Sequence, residues 1–254
     1  WGQSRVERVP VDAPLAPAAL AEFVGQGVGV RDGGSFGWER MALMAAEDEA
    51  DPERFLRVFY PEGSASQVVA RTLDAPEGGA QAYLTLSQPA GEATLEYRVR
   101  FPADFEWVRG GKLPGLYAGT ATAGGRVPDG ANGFSTRYMW RKGGQGEVYA
   151  YLPTSQEHGT SMGRGAWTFP RGQWVTIRQH LRLNRPGHFD GVIEVSVGDE
   201  VVFTADGVEF RDVTELGIEG IFFSTFFGGD DESWASPGLQ HIDFADFRLR
   251  TAAS

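Results

Sequence analysis

The residue types able to do chemistry gather between Arg109 and Pro153. Gly110-Gly-Lys112-Leu-Pro-Gly115 leads into two strand-like segments, Phe134 to Arg141 (FSTRYMWR) and Val148 to Leu152 (VYAYL). Alternate side chains of a strand share a face. Ser135 and Arg137 therefore point one way on the first segment, and Tyr149 and Tyr151 share a face on the second. The connector from Lys142 to Glu147 is short and glycine-rich, as a hairpin loop should be. A register that puts both pairs on one face brings a guanidinium, a hydroxyl and two phenols onto a small patch. Such a set can take a proton from the carbon next to a carboxylate. Lys112 adds to it: the chain has only two lysines, Lys112 and Lys142, against 21 arginines. In a Gly-Gly-Lys-Leu-Pro-Gly turn, a compact ammonium with a tunable pKa offers what arginine lacks.

The elements that must position these groups read almost entirely as strands. Leu56–Tyr60, Ala93–Phe101, Trp174–Leu183, Gly191–Val197 and Ala245–Arg250 all alternate, with turn chemistry between them, and 35 glycines and 14 prolines suit many short strands. Pro17–Phe23 reads as one short helix, and Trp38–Glu49 is ambiguous. No repeat, linker or low-complexity segment divides residues 1–254, so one domain is expected. The fold class is all-β, a β-sandwich of jelly-roll type with very few short helices. Such sandwiches bind extended polymers across one concave sheet face. Trp140, Tyr138, Phe226 and Phe227 could stack on sugars there, but inter-sheet core is the favoured reading, and alternation puts Tyr138 and Trp140 opposite Arg137.

Composition excludes several classes. There are no cysteines, hence no disulfide, thiolate metal site or thiol nucleophile. His158, His180, His188 and His241 lack ligand spacing, and His180 shares a strand face with Arg178 and Arg182. No run of 18 apolar residues predicts a membrane span. The net charge is −11, yet residues 98–185 hold 13 Lys and Arg against 5 Asp and Glu. A basic middle in an acidic chain marks a local anion site. A nucleic acid would meet long-range repulsion, so a less charge-dense polyanion is the expected partner. Asp230-Asp231-Glu232 could hold a structural calcium through oxygen ligands, although a plain acidic turn is favoured, since it lacks the spacing of a calcium loop.

Taken together, Gly110-Gly-Lys-Leu-Pro-Gly-Leu116, Ser135-Thr-Arg137 with Met139-Trp-Arg141, and Tyr149-Ala-Tyr-Leu-Pro153 resemble the jelly-roll polysaccharide lyases of families 14 and 20. Gly163–Phe169, Arg182–Asn184 and Phe226–Asp230 through Ser233–Pro237 fit the same pattern, so the resemblance covers roughly residues 50 to 250. Those families include alginate and glucuronan lyases. The resemblance implies β-elimination on a β-1,4-linked polyuronate: the C5 proton is taken, the 4-linked oxygen leaves, and a 4,5-unsaturated sugar remains. It carries catalytic roles onto Lys112, Arg137, Tyr149 and Tyr151, and substrate binding onto Ser135, with Gln179 and Arg141 as further candidates. Arg137 would neutralise the substrate carboxylate with a bidentate fork, Lys112 adding a second positive charge. A tyrosine, Tyr149 by preference, would be the base once nearby cations depress its pKa.

The resemblance requires no cofactor or metal. It leans to glucuronan with alginate close behind, and endo action follows from an open groove. A monomer is expected. The numbering starts at Trp1 without a charged and apolar leader, so any signal peptide lies outside it. A secreted or periplasmic bacterial protein is expected, because polymeric substrates are met outside the cytoplasm. The rival readings are a non-catalytic carbohydrate-binding sandwich and, less favoured, a glycoside hydrolase, which needs two carboxylates that the basic segment does not arrange in a strand pattern.

Overall fold

Short alternating segments separated by glycine and proline turns pair into two antiparallel sheets of seven strands each. The computed structural model describes residues 9–252. The first sheet runs β1 (Gly29–Val30), β4 (Ala80–Ala90), β13 (Ile218–Thr225), β6 (Gly110–Gly119), β7 (Gly133–Arg141), β8 (Gly146–Tyr151) and β9 (Thr160–Met162). The second runs β12 (Glu200–Val208), β11 (Gly191–Val197), β10 (Trp174–Arg182), β5 (Glu92–Arg100), β14 (Gln240–Ala252), β3 (Arg54–Tyr60) and β2 (Met41–Ala45). They face each other as a sandwich, as the alternation and turn spacing predict. Among the described residues, helix is confined to α1 (Pro17–Val24), α2 (Gln67–Leu73) and a few single turns. No helix among the described residues is long and apolar enough to cross a membrane.

The core lies between the sheets and explains the alternation. On β5, Ala93, Leu95, Tyr97 and Val99 are buried, while Thr94, Glu96, Arg98 and Arg100 take the other face. On β7, Phe134, Tyr138 and Trp140 join the core, as their position opposite Arg137 requires. Phe227 packs on Trp140 with ring centres 5.2 Å apart, so it too is core; Phe226 is half-buried beside Phe36. Each such side chain contributes about 1.5–3 kcal/mol relative to exposure.

Three local expectations change. Gly110–Gly115 is not a turn but the start of β6, a central strand. Its glycines answer a demand for close approach: a Cβ on Gly111 would meet the Trp140 ring at 2.1 Å, and one on Gly115 the Thr136 carbonyl oxygen at 2.1 Å. Pro114, which has no N–H to give, sits where the β6–β7 register shifts between Leu113 and Leu116. The ambiguous stretch from Trp38 resolves into a single helical turn followed by β2. Helix α2 was not foreseen, although Ser66 caps it by accepting from the Val69 N–H.

Gln179 is corrected as well. It was a candidate for substrate binding, but it lies between the sheets, wholly buried. Its Nε2 donates to the Thr136 carbonyl at 2.8 Å, and its Oε1 accepts from the Thr136 hydroxyl at 2.7 Å. It therefore ties β10 to β7 across the core and faces away from Arg137. Gln179→Ala should cost about 2–4 kcal/mol in urea unfolding, by opening a cavity and orphaning two polar groups. Turnover per folded molecule should stay near that of the parent.

Candidate active site

Strand register decides whether the two pairs meet. Ser135 lies opposite Tyr151, and Arg137 opposite Tyr149, so all four share the outer face of the first sheet. On the other side of β7, Lys112 lies opposite Met139, which has the parity of Arg137. Three neighbouring strands thus bring Lys112, Ser135, Arg137, Tyr149 and Tyr151 together.

Arg137 is the unusual member. It is only 2% exposed, and no carboxylate among the described residues pairs with it. One terminal N–H donates to Ser224 Oγ at 3.0 Å, the guanidinium lies 4.6 Å from the Phe222 ring centre, and Nε has no partner. Burial lowers its pKa, with the neighbouring phenols of Tyr151, Tyr83 and Tyr149 opposing. A desolvated cation with spare donors is costly in the free protein and suited to receiving a carboxylate.

Lys112 and Tyr149 are pushed in opposite directions. The Lys112 ammonium sits 4.2 Å from the centre of the Tyr149 ring and 3.1 Å from Met139 Sδ. Burial, then Arg137 and Arg141, hold its pKa well below the usual lysine value, with Glu147 opposing weakly. For Tyr149 burial raises the phenol, and Tyr151 raises it further; Arg137, the Gly159 backbone and Arg141 only partly offset this. The expectation of a phenol depressed by nearby cations is therefore reversed, because loss of water outweighs the charges. The Tyr151 ring meets Tyr149 edge-on at 5.9 Å, and its hydroxyl accepts from the Gly125 N–H at 3.4 Å.

Ser135 and Arg141 sit on this face in supporting positions. The Ser135 hydroxyl, fully buried, donates to the Thr122 carbonyl at 2.6 Å and so holds the loop after β6 against the patch. Arg141 is engaged by the buried carboxylate of Glu147 at 2.6 Å, which also takes Arg164 at 2.6 Å. The sequence reading missed Glu147, Ser224 and Gly159. Gly159 packs directly on both phenols: a Cβ there would meet Tyr149 Cε1 at 2.6 Å and Tyr151 Cε2 at 2.9 Å. Gly159→Ala should displace the pair and lower kcat by about 10²-fold, the scale of a displacement near 1 Å. The far-ultraviolet spectrum should not change.

Elsewhere, Asp231 accepts from the Ser233 N–H at 2.8 Å and lies 3.7 Å from Arg109, so its carboxylate caps a helical turn. No cluster of three or more metal-ligating side chains occurs among the described residues. A cavity of about 320 Å³ opens on the outer face of the second sheet beside Arg57, Arg100, His241 and Asp243. Both arginines there are already engaged by Asp243, at 2.8 and 2.9 Å, which leaves Arg137 as the better anion receptor.

The polysaccharide lyase 14 family model matches residues 48–247, spanning every strand that carries the cluster. The chain belongs to polysaccharide lyase family 14. It is a carbon–oxygen lyase acting on polysaccharides. Among solved structures it is similar to the marine family 14 alginate lyase of Aplysia kurodai, at 29% identity over 94% of this chain and 97% of that one, TM-score 0.78. An alginate lyase from Chlorella virus shares the fold at 21% identity, over 95% and 100% of the two chains, TM-score 0.75. So does the endo-β-1,4-glucuronan lyase of the fungus Trichoderma reesei, at 10% identity over 89% and 92%, TM-score 0.59. A search of curated protein sequences finds no match.

Proposed function

We propose that this family 14 lyase cleaves alginate by β-elimination within β-1,4-linked mannuronate. The observation that carries the reading is Arg137, a buried guanidinium with no carboxylate partner among the described residues, beside an amine and a phenol whose pKa values are driven apart. Alginate is placed ahead of glucuronan because the 29% identical relative is an alginate lyase, whereas the likeness to the glucuronan lyase, at 10%, supports the fold alone.

In this mechanism the substrate carboxylate docks on Arg137, which spreads the negative charge that builds as C5 loses its proton. In mannuronate H5 and the 4-linked oxygen lie on the same side of the ring, so one patch serves both. The pKa directions divide the labour differently from the sequence reading. Lys112, whose pKa burial and the neighbouring arginines lower, takes H5 in its neutral form. The C–H electron pair becomes the C4–C5 double bond as the C4–O4 bond breaks, and the protonated Tyr149 supplies the proton to O4. After product leaves, Lys112 gives up its proton to solvent and Tyr149 regains one from solvent, which restores both groups. Tyr151 orients Tyr149. No step calls for a metal, and the working location proposed is outside the cytoplasm, as a monomer.

The test is the ultraviolet absorbance of the unsaturated uronate, followed with poly-mannuronate, poly-guluronate and glucuronan in parallel, with and without chelator. Poly-mannuronate should react fastest. A faster reaction on glucuronan would move the substrate assignment to that polymer. Silence on all three, in folded protein, would reject the substrate reading.

A further inference from the structure

The outer face of the first sheet carries a second guanidinium without an acidic partner among the described residues, and it lies across the strands from Arg137. Arg31 follows β1 at the sheet edge, where its backbone N–H donates to the Tyr83 carbonyl at 2.9 Å. Its guanidinium lies 3.7 Å from the centre of the Tyr83 ring, and one N–H donates to the Gly119 carbonyl at 3.0 Å. No carboxylate pairs with it among the described residues, and it is part-exposed. Tyr83 in turn stacks on Phe222, with ring centres 4.3 Å apart and planes 10° from parallel. Arg137 covers Phe222 at 4.6 Å. The result is a four-layer stack, guanidinium, phenol, phenyl, guanidinium, running from β1 over β4 and β13 toward β7.

A second connection joins the same two places. Arg137 donates to Ser224 Oγ at 3.0 Å, Ser224 donates to Gln81 Oε1 at 3.0 Å, and Gln81 Nε2 donates to the Gly34 carbonyl at 2.7 Å. The segment bearing Arg31 is thus docked on the active face twice, by ring stacking and by hydrogen bonds. Gly34 has a positive φ of 78° at its neighbour Gly33 and 72° of its own, and a Cβ on it would meet the Tyr83 ring at 2.9 Å. The backbone is shaped to lie against that ring.

We propose that Arg31 binds the carboxylate of a second uronate residue of the same polymer chain, to one side of the residue held by Arg137. This rests on the polyuronate lyase reading and extends it. The three spacings of this stack set the two guanidiniums further apart than one pyranose ring, in the range of linked sugars. A polyuronate repeats its carboxylate along the chain, so two fixed cations on a line across the strands select for length as well as charge. The aromatic pair between them holds both cations in place without neutralising either.

The experiment compares the parent with Arg31→Gln and Arg31→Lys on poly-mannuronate and on the shortest oligomannuronate that the parent cleaves. Arg31→Gln should raise KM for the polymer about tenfold, the scale of one lost charged hydrogen-bond contact, with kcat nearly unchanged. The short oligomer should lose less, and Arg31→Lys should recover part of the loss. Affinity electrophoresis in gels containing the polymer reads binding without turnover, and Arg31→Gln should migrate faster than the parent. An unchanged KM, or an equal rise for short and long substrates, would overturn the proposal. A parent that is retarded by the polymer but makes no unsaturated product would refute the lyase mechanism and leave the Arg31 site standing. A parent neither retarded nor active would remove both.

Discussion

Arg137→Ala is expected to lower kcat/KM for the polyuronate by about 10³-fold, with the fold intact. The size follows from what the side chain would do. Removing one donor aimed at developing transition-state charge costs about 10²–10³-fold, and Arg137 offers a charged fork rather than a single neutral donor. Its setting strengthens the effect, because at 2% exposure its interaction with an arriving carboxylate is not screened by bulk water. The accompanying stability change is the sharper part of the prediction. The guanidinium is desolvated, its Nε is unpartnered, and no carboxylate among the described residues compensates it. Arg137→Met, which keeps most of the volume and discards the charge, should therefore gain about 0.5–2 kcal/mol in urea unfolding while losing activity. A residue retained only to hold the sheet would destabilise when replaced. A fall in stability with activity retained would count against the assignment.

Tyr149→Phe is expected to lower kcat by about two to four orders of magnitude, the range of a positioned acid or base. The pH dependence separates its role from that of Lys112. The amine works when neutral, so the rate rises with pH through a pKa held well below the usual lysine value. The phenol works when protonated, so the rate falls as pH climbs past a pKa raised above the usual tyrosine value of 10.0. The parent should give a bell. Tyr149→Phe should leave a weak profile with the rising limb alone, and Lys112→Met should remove the rising limb. If Tyr149→Phe and Tyr151→Phe both turn over at near the parental rate, the proton-transfer scheme is wrong. If instead the rising limb survives in Lys112→Met, the base lies elsewhere on the patch.

Lys112 also links pH to stability. Its folded pKa lies below its unfolded one, so between the two values the unfolded chain holds a proton that the folded chain lacks. Stability contributed by this residue therefore rises with pH across that window and is lost as pH falls through it. The change should vanish in Lys112→Met.

What the sequence determined is what depends on neighbours along the chain. Alternation in FSTRYMWR and VYAYL separates Arg137 from Tyr138 and Trp140, and a short glycine-rich connector makes the two segments a hairpin. With the order of Lys112, Arg137, Tyr149 and Tyr151, this was enough for the sandwich, the family and the composition of the patch. What only the tertiary structure decided depends on neighbours across space. Gly111 and Gly115 read as turn residues until Trp140 and the Thr136 carbonyl are seen to fill the places of their side chains. Gln179 shares its strand face with the apolar Ile177 and Leu181, but only the structure shows its partner, Thr136 on the other sheet. The direction of the Tyr149 shift was misread for the same reason. Nearby charges can be counted in a sequence, but the loss of water around a phenol is a sum over atoms from distant segments, Gly159 among them, and only packing sets it. Arg31 lies far from the motif in sequence and reaches it through Tyr83 and Phe222, rings brought face to face by the pairing of β4 with β13.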